Sequence, residues 1–374
     1  MSAFGSLREY VTIALVVAGV FMAFATEQAT AVVIFTNDFE DDPVGIYTVG
    51  NLEDDWNGTT SNNGVDEGRV AITDDANAYG TKSLVVKYPQ GESNNGKSQW
   101  KVPLGTDYEE LFVSYRIRFD DNFNFVRGGK LPGFSGGADN TGGNKPTGFD
   151  GWSARMMWRT NGSGGSPQGD TTVAKIVQYA YHPDQPTEFG EDLRWDDNTA
   201  GQWQEFESDQ WYHLQHRVVM NTPTQHDGIV QAWLDGEMVL DRQDIRWRDT
   251  TAFGIDNFYF STFFGGSSTI WEASKDEFVY YDDFIISTEF IGSPGDFDLD
   301  GNIDGDDLTE WQAAYGITDA ADADSDSDSD GSDFLTWQQA YVGAPQLSAV
   351  PEPTSAALLL LLLGAGFCSR ALHS

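Results

Sequence analysis

The stretch W-S-A-R-M-M-W-R at residues 152–159 places apolar and polar side chains at alternate positions. Successive side chains of a β-strand point to opposite faces of the sheet. The apolar face of this stretch carries the even-numbered residues, both tryptophans among them, and its opposite face carries Ser153, Arg155 and Arg159. The pattern predicts a strand that covers a core with one face and offers hydroxyl and guanidinium groups on the other.

Two further stretches predict strands that carry polar groups on one face. I-V-Q-Y-A-Y at residues 176–181 puts Tyr179 and Tyr181 on the same side, and F-V-S-Y-R-I-R-F at residues 112–119 puts Arg116 and Arg118 opposite its apolar residues. The Gly- and Pro-containing stretch G-G-K-L-P-G at residues 128–133 predicts a turn that presents Lys130. A concave sheet that carries cations and paired tyrosines suits an anionic sugar polymer.

The large central region, residues 32–293, predicts an all-β fold. Gly, Asn and Asp punctuate short aromatic and β-branched runs, and few long helical patterns occur. Asp235-Gly236 is a two-residue turn signal between alternating runs, which is typical of a β-hairpin. So many strands over this length favour a concanavalin-like β-jelly-roll sandwich of two sheets.

The charge of the chain restricts its partners. A net charge of −38 favours solubility and argues against nucleic acid, but it also opposes an anionic substrate. Residues 111–160 hold seven Arg or Lys and four Asp, so a locally positive groove is expected, since charges beyond about 10 Å are largely screened at moderate salt. The one cysteine, Cys368, excludes an intrachain disulfide, so the fold relies on its core.

The first 31 residues predict a secretory signal peptide. Arg8 precedes an apolar run at residues 11–24, and Ala29-Thr30-Ala31 fits a small-residue cleavage site. A membrane anchor is the alternative, although the apolar run is short for a membrane span. We therefore expect a secreted or cell-surface protein.

An Asp-rich unit occurs twice after Gly295. Trp311-Gln312 recurs as Trp337-Gln338, and the aspartates recur with the same offset of 26 residues, which indicates a duplicated fold unit rather than a solvated acidic linker. Their spacing is that of Ca²⁺-binding loops. The expected ligands are Asp296, Asp298, Asp300, Asn302, Asp304 and Asp307 in the first loop, and Asp322, Asp324, Asp326, Asp328, Asp330 and Asp333 in the second. Gly301 occupies the sharp turn of the first loop, and Ser327 replaces it in the second.

Residues 295–343 resemble the duplicated dockerin module. That resemblance implies a small α-helical unit that folds with Ca²⁺ and docks on a cohesin-like partner. Residues 350–374 begin with Val350-Pro351-Glu352-Pro353, continue with an apolar stretch and reach Arg370, and they resemble the PEP-CTERM sorting signal. This second resemblance implies recognition by exosortase-type sorting machinery.

The central region resembles the alginate and glucuronan lyases, polysaccharide lyase families 14 and 20. The matching stretches are Y-R-I-R-F-D-D-N-F-N-F-V-R-G-G-K-L-P-G, W-S-A-R-M-M-W-R, Y-A-Y-H, W-Y-H-L-Q-H-R-V-V-M-N-T, D-G-I-V-Q-A-W-L-D-G and F-S-T-F-F-G-G. The resemblance implies a jelly roll whose concave face cleaves a polyuronate by β-elimination. By matching motif, the positions important in these lyases are Lys130, Ser153, Arg155, Tyr179 and Tyr181.

The chemistry of elimination gives each of these residues an expected role. A cation neutralises the uronate carboxylate, a base takes the C5 proton and an acid protonates the leaving O4. We expect Arg155 and Lys130 to neutralise the uronate carboxylate. Tyr179 or Tyr181 is expected to transfer the protons, and Ser153 to position the sugar or a tyrosine. Arg116, Arg118 and His182 are expected at substrate subsites. The elimination requires no cofactor.

Other functions fit parts of the same pattern. The main alternative is a non-catalytic carbohydrate-binding sandwich that grips sugar in the same groove. A glycoside hydrolase needs two facing carboxylates, and no convincing pair at strand spacing is found. A structural surface protein that works through the repeat module is a third alternative. The stretch at residues 136–148 is either a lid or a long surface connection.

Overall fold

The structure is a computed structural model that describes residues 32–160, 172–196, 203–292, 295–297, 303–318, 320–323 and 328–341. The predicted signal peptide and sorting tail lie outside these residues, as do the expected ligands Asp298, Asp300, Asn302, Asp324 and Asp326. Strands dominate as far as Ser287, and two helices follow. Within the described ranges, no helix combines the length and the apolar character that a membrane crossing requires.

Two antiparallel sheets form the large domain. The nine-stranded sheet has the order β14-β13-β12-β6-β16-β4-β3-β2, and β1 also pairs with β16. Its strands are β1 (Val33–Asn37), β2 (Gly45–Ile46), β3 (Val70–Thr73), β4 (Ser83–Tyr88), β6 (Glu110–Phe119), β12 (Trp211–Val219), β13 (Gly228–Leu234), β14 (Glu237–Ile245) and β16 (Glu277–Ser287). One helix, α1 (Val49–Asp55), follows β2.

The seven-stranded sheet has the order β10-β9-β8-β7-β15-β5, and β11 also pairs with β9. Its strands are β5 (Ser98–Tyr108), β7 (Gly128–Gly137), β8 (Gly151–Arg159), β9 (Val173–Tyr181), β10 (Glu191–Arg194), β11 (Glu205–Glu207) and β15 (Ile255–Phe264). Two short 3-10 helices, Asn94–Gly96 and Thr269–Trp271, lie in connections. This two-sheet arrangement confirms the predicted jelly-roll-like sandwich.

Many aromatic residues of the large domain fill the space between the sheets. Trp100 of β5 stacks on Phe260 of β15 with 3.9 Å between ring centroids, and Trp56 packs among Phe35, Phe258 and further rings. These side chains are fully or almost fully buried. Burial of so much aromatic surface stabilises the sandwich without a disulfide, as the composition predicts.

The alternation predicted for residues 152–159 is confirmed in β8. Its even-numbered side chains join the core cluster, while Met157 packs in a separate cluster on the outer face of the sheet with Val177, Tyr179 and Tyr181. The predicted hairpin also forms. Asp235 and Gly236 connect β13 to β14 with φ of +51° and +88°, the two positive values that a type I′ turn needs.

The prediction of a turn at residues 128–133 is wrong, because these residues open strand β7. The pairing of β7 with β8 runs from Gly128 opposite Arg159 to Gly137 opposite Gly151, and Pro132 is the extra residue of a bulge. A bulge tolerates proline because it leaves a residue out of the hydrogen-bonded ladder. Lys130 therefore projects from a strand and not from a turn.

Two helices, α2 (Gly305–Ala314) and α3 (Gly331–Ala340), lie in the described part of the chain after Ser287. Asp304 and Asp330 cap their first turns, and each accepts a hydrogen bond from a backbone amide two residues on. The indole of Trp311 donates to the carbonyl oxygen of Asp330 at 2.8 Å, and that of Trp337 donates to Asp304 at 2.9 Å. The reciprocal bonds show that the sequence repeat is also a structural repeat.

Candidate active site

A continuous row of side chains crosses the outer face of the seven-stranded sheet. Tyr259 of β15 lies opposite Gly133 of β7, which lies opposite Arg155 of β8, and the row continues through Tyr179 of β9 to Asp192 of β10. Glycine is required in this row, since a Cβ at position 133 would lie 2.3 Å from the carbonyl oxygen of Ala154. The missing side chain lets the neighbours on both sides come together.

Lys130 lies beside this row in an environment without a contacting carboxylate among the described residues. Its Nζ donates to the sulfur of Met157 at 2.8 Å and lies 3.6 Å from the ring centroid of Tyr179. Only 8% of the residue is exposed. Burial, and then the charges of Arg159 and Arg155, hold the pKa of Lys130 well below its ordinary value.

Arg155 is held from the opposite side of the row. Its Nη1 donates to Ser261 Oγ at 2.9 Å, and its guanidinium carbon lies 4.9 Å from the ring centroid of Tyr259. Ser261 Oγ donates in turn to Gln99 at 3.3 Å. Arg155 is almost fully buried, so its guanidinium group is held in one orientation.

The two tyrosines stand edge to face, with ring centroids 5.4 Å apart. Burial and the neighbouring Tyr181 raise the pKa of Tyr179 above its ordinary value of 10.0, and the charge of Arg159 opposes this shift. The hydroxyl of Tyr181 accepts a hydrogen bond from the amide of Gly143 at 3.2 Å. The stretch at residues 136–148 therefore contacts the site instead of being only a distant surface connection.

An ion pair at the end of the row was not assigned from the sequence. Arg159 of β8 donates from Nε and Nη2 to the two carboxylate oxygens of Asp192, both at 3.0 Å. The guanidinium carbon of Arg159 also lies 5.5 Å from the ring centroid of Tyr179 and 5.6 Å from that of Trp271. Alternation in β8 places Arg159 on the correct face, but no local signal identifies Asp192 as its partner.

Tyr259 and Ser261 were also missed, although a signal for them exists. They belong to the stretch D-N-F-Y-F-S-T-F-F, in which Tyr259, Ser261 and Phe263 share one strand face. What the stretch lacks is any indication that β15 lies next to β7, because the two strands are more than 110 residues apart. The partners of Arg155 become visible only with the topology.

Ser153 and His182 have partners that are not in the row. The Oγ of Ser153 is fully buried and donates to the carbonyl oxygen of Asn140 at 2.7 Å, so it anchors the connection between β7 and β8. His182 follows β9, and its Nε2 lies 2.7 Å from a carboxylate oxygen of Glu191. The hydrogen bond from His182 lowers the pKa of Glu191.

Arg116 and Arg118, which are expected at substrate subsites, lie away from this row of residues. Both residues belong to β6 in the nine-stranded sheet, and they face away from a core that takes the alternate residues of that strand. Arg116 Nε donates to Asp283 at 2.8 Å, and Arg118 pairs with Asp209. Strand alternation gave the correct face, but the strand lies in the other sheet.

The C-terminal repeat contains a group of acidic ligand atoms. Carboxylate oxygens of Asp328, Asp330 and Asp333 all lie within 4.8 Å of one another. Oxygen ligands at this spacing fit a hard divalent cation such as Ca²⁺. Among the expected ligands of the first loop, the structure describes Asp296, Asp304 and Asp307.

The region that contains this row of residues matches a known protein family. The family model of polysaccharide lyase 14 matches residues 76–284. The chain belongs to polysaccharide lyase family 14. The lyase region holds the described cluster of Lys130, Arg155 and the two tyrosines, and the family 14 part of the sequence resemblance is confirmed.

Solved structures agree with the assignment of this polysaccharide lyase. A variant of alginate lyase Aly36B in complex with alginate tetrasaccharide is 28% identical, with a TM-score of 0.56, and the match covers 67% of this chain and 95% of that chain. A second Aly36B variant, in complex with alginate trisaccharide, is 27% identical with the same TM-score over 67% and 96%. The alginate lyase of Aplysia kurodai, 22% identical with a TM-score of 0.55 over 69% and 100%, shares the fold. The curated proteins contain no match to this sequence.

Proposed function

We propose that this polysaccharide lyase cleaves a polyuronate of the alginate type by β-elimination. The observation that carries the proposal is the contact of Lys130 with both Met157 and Tyr179 on the outer face of the seven-stranded sheet. The alginate-bound forms of Aly36B carry alanine in place of a lysine and a tyrosine in one case, and of a lysine and a methionine in the other. The same three residue types meet in this chain.

Lys130 is the best candidate for the base. A lysine whose pKa is held low by burial and by neighbouring guanidinium groups carries a free amine at a pH where an exposed lysine is charged. Its contacts, a thioether and an aromatic ring, do not stabilise the ammonium form as a carboxylate would. This assignment replaces the sequence-based hypothesis that Lys130 neutralises the substrate carboxylate.

Tyr179 is the best candidate for the acid, and Arg155 for the carboxylate ligand. The raised pKa of Tyr179 keeps the phenol protonated, so it has a proton to give to the leaving O4. Arg155 offers a fixed positive charge in the same row, where it stabilises the negative charge that develops as C5 loses its proton.

The step is balanced without a cofactor. The C5 proton passes to Lys130 Nζ, and the electron pair of that bond forms the C4–C5 double bond. The bond from C4 to O4 breaks, and the departing oxygen takes the proton of Tyr179. Proton exchange with water then restores both side chains.

Product formation on defined polymers tests this function. The purified protein is incubated with polymannuronate, polyguluronate and polyglucuronate, and the ultraviolet absorbance of the new C4–C5 double bond is recorded. Tyr179→Phe and Lys130→Met are each expected to lower kcat by about 10²- to 10⁴-fold. Tyr280→Phe is the matched control, because Tyr280 lies in β16 of the other sheet, where it contacts Arg118.

The results separate the alternatives clearly. Binding of a polyuronate without any unsaturated product supports a non-catalytic carbohydrate-binding protein. Full turnover by Tyr179→Phe assigns the acid role elsewhere. A preference for polyglucuronate over both alginate blocks keeps the elimination but changes the substrate.

We also propose that the chain is exported and that its C-terminal repeat binds Ca²⁺. The signal-like residues 1–31 support export to the medium or cell surface, and the PEP-CTERM-like tail supports recognition by exosortase-type machinery. The grouped carboxylates of Asp328, Asp330 and Asp333 fit Ca²⁺, and the duplicated helices support docking on a cohesin-like partner.

A further inference from the structure

A buried ion pair stands at the edge of the proposed catalytic groups. Arg159 and Asp192 are joined by two hydrogen bonds of 3.0 Å, and their side chains are 11% and 9% exposed. A pair this well buried costs desolvation free energy, and apolar residues of similar volume often serve a fold at least as well. The contacts of the pair therefore indicate a role other than stability.

The pair reaches both groups that transfer protons. Arg159 contacts the ring of Tyr179, and the Nζ of Lys130 contacts the same ring. Asp192 lies directly opposite Tyr179 in the pairing of β10 with β9. The ring of Tyr179 is thus the common neighbour of the amine, the guanidinium and the carboxylate.

The two charges of the pair act in opposite directions. The positive charge of Arg159 lowers the pKa of both Lys130 and Tyr179, while the negative charge of Asp192 raises both. Burial remains the largest cause for each group. Removal of either charge should therefore shift the pKa of Lys130 and the pKa of Tyr179 in the same direction.

Other charged or titratable groups face the same region from each neighbouring element. Arg155 belongs to β8, Tyr181 to β9, and Lys175 of β9 lies opposite Arg159 in the strand pairing. Arg127 contacts Trp271 from the connection before β7, with its guanidinium carbon 4.9 Å from the ring centroid. Glu205 of β11 lies opposite Lys175 on the same face but is exposed to solvent, and Asp139 pairs with Lys101, which contacts the ring of Tyr259. Asp192 is the buried carboxylate that pairs with Arg159 beside Tyr179.

We propose that Arg159 and Asp192 are a positioning pair that sets the pH at which the lyase becomes active. The pair acts through Lys130 and Tyr179 and not by contact with the reacting atoms. This inference rests on the proposed function, in which Lys130 must be a free amine before it accepts the C5 proton.

Substitutions of opposite sign test the proposal. Asp192→Asn keeps the shape and removes the negative charge, so the acidic limb of the kcat/KM profile should move to lower pH by roughly half to one unit. Arg159→Gln removes the positive charge and should move the limb to higher pH. Arg159→Lys keeps the charge and should restore the limb towards its wild-type position.

The control is Asp283→Asn, which removes a carboxylate that pairs with Arg116 on the other sheet. It should leave the profile unchanged. An acidic limb that stays within about 0.2 pH unit in Asp192→Asn, with wild-type melting behaviour, overturns the proposal. A purely structural pair would lower stability and turnover but would not move the limb.

A second measurement does not need substrate. NMR titration of the lysine ¹³Cε resonances, with Lys130 assigned by its absence from Lys130→Met, gives the midpoint of Lys130 directly. We expect a lower midpoint in Asp192→Asn and a higher one in Arg159→Gln, and an unmoved midpoint in Asp192→Asn overturns the proposal. If no polyuronate is cleaved, the proposed function fails, yet this titration still decides whether the pair controls Lys130.

Discussion

The burial of Lys130, the proposed base, should lower the stability of the fold. Its folded-state pKa is lowered, first by burial and then by Arg159 and Arg155, whereas an unfolded lysine titrates near 10.4. The folded state therefore binds fewer protons than the unfolded state between these two values. By linkage, the cost to stability is full below the lowered pKa and fades as the pH rises towards about 10.4.

Lys130→Met, with its strongly lowered kcat, should therefore be more stable than the wild type. The increase in Tm should be largest at acidic pH and should shrink as the pH approaches 10, because the wild-type lysine loses its charge in both states there. Thermal melts at pH 6 and pH 10 measure the difference. Lys87→Met, at a lysine that is 39% exposed and paired with Asp276, is the control and should give no such pH-dependent gain. A lower Tm for Lys130→Met at pH 6 would contradict a buried, poorly solvated amine.

For single residues, the sequence predicts which face of a sheet a side chain occupies but not which group it contacts. The faces of Arg155, Tyr179 and Tyr181 were predictable because a strand period of two assigns each of them to a definite side of the sheet, whereas Lys130 was expected on a turn and lies in β7. The same period says nothing about hydrogen-bond partners. The positioning of the sugar or a tyrosine by Ser153 is implied by the family resemblance and stays a prediction, and the Oγ of Ser153 donates to the backbone of Asn140.

Strand β7 shows why a correct motif can be given the wrong secondary structure. Glycines and a proline usually indicate a turn. Here the glycines lie inside a sheet, where neighbouring atoms leave no room for a side chain. A Cβ at Gly129 would lie 2.0 Å from the ring of Trp158, and one at Gly133 would lie 2.6 Å from the Cα of Arg155. Such close approaches depend on the neighbouring strand, so they cannot be read from the local sequence.

Gly133→Ala should damage the site through the backbone. The added Cβ meets backbone atoms of Ala154 and Arg155, which cannot rotate away, so β7 and β8 must move apart and Arg155 must shift. We expect a lower Tm and a loss of kcat/KM of at least about tenfold, measured by melting and by the double-bond assay. Gly50→Ala in helix α1 is the control, since its Cβ would meet no atom closer than 3.6 Å and alanine favours a helix. Wild-type activity in Gly133→Ala would show that the close approach is not needed.

At the scale of the whole molecule, the cationic residues of the proposed site all lie in one sheet. The positive window at residues 111–160 is split by the topology, because Arg116 and Arg118 lie in the nine-stranded sheet while Lys130, Arg155 and Arg159 lie in the seven-stranded sheet. Sequence alone gives the number of cations but not which sheet receives each strand, since that depends on pairings between distant segments. The net charge of −38 therefore coexists with a cationic site that is shielded by burial.

The C-terminal repeat gives a prediction that separates metal binding from catalysis. Addition of Ca²⁺ should stabilise the repeat, because bound metal draws the clustered carboxylates of Asp328, Asp330 and Asp333 together and offsets their repulsion. Calorimetry of the full chain should show a transition that rises with Ca²⁺ and returns with a chelator, and Asp328→Asn should weaken this response. The rate of double-bond formation should stay constant with and without chelator, since the proposed elimination by Lys130 and Tyr179 needs no metal. A chelator that stops turnover while the sandwich stays folded would assign the cation a role in the reaction, and a chain whose melting ignores Ca²⁺ would remove the metal from the repeat.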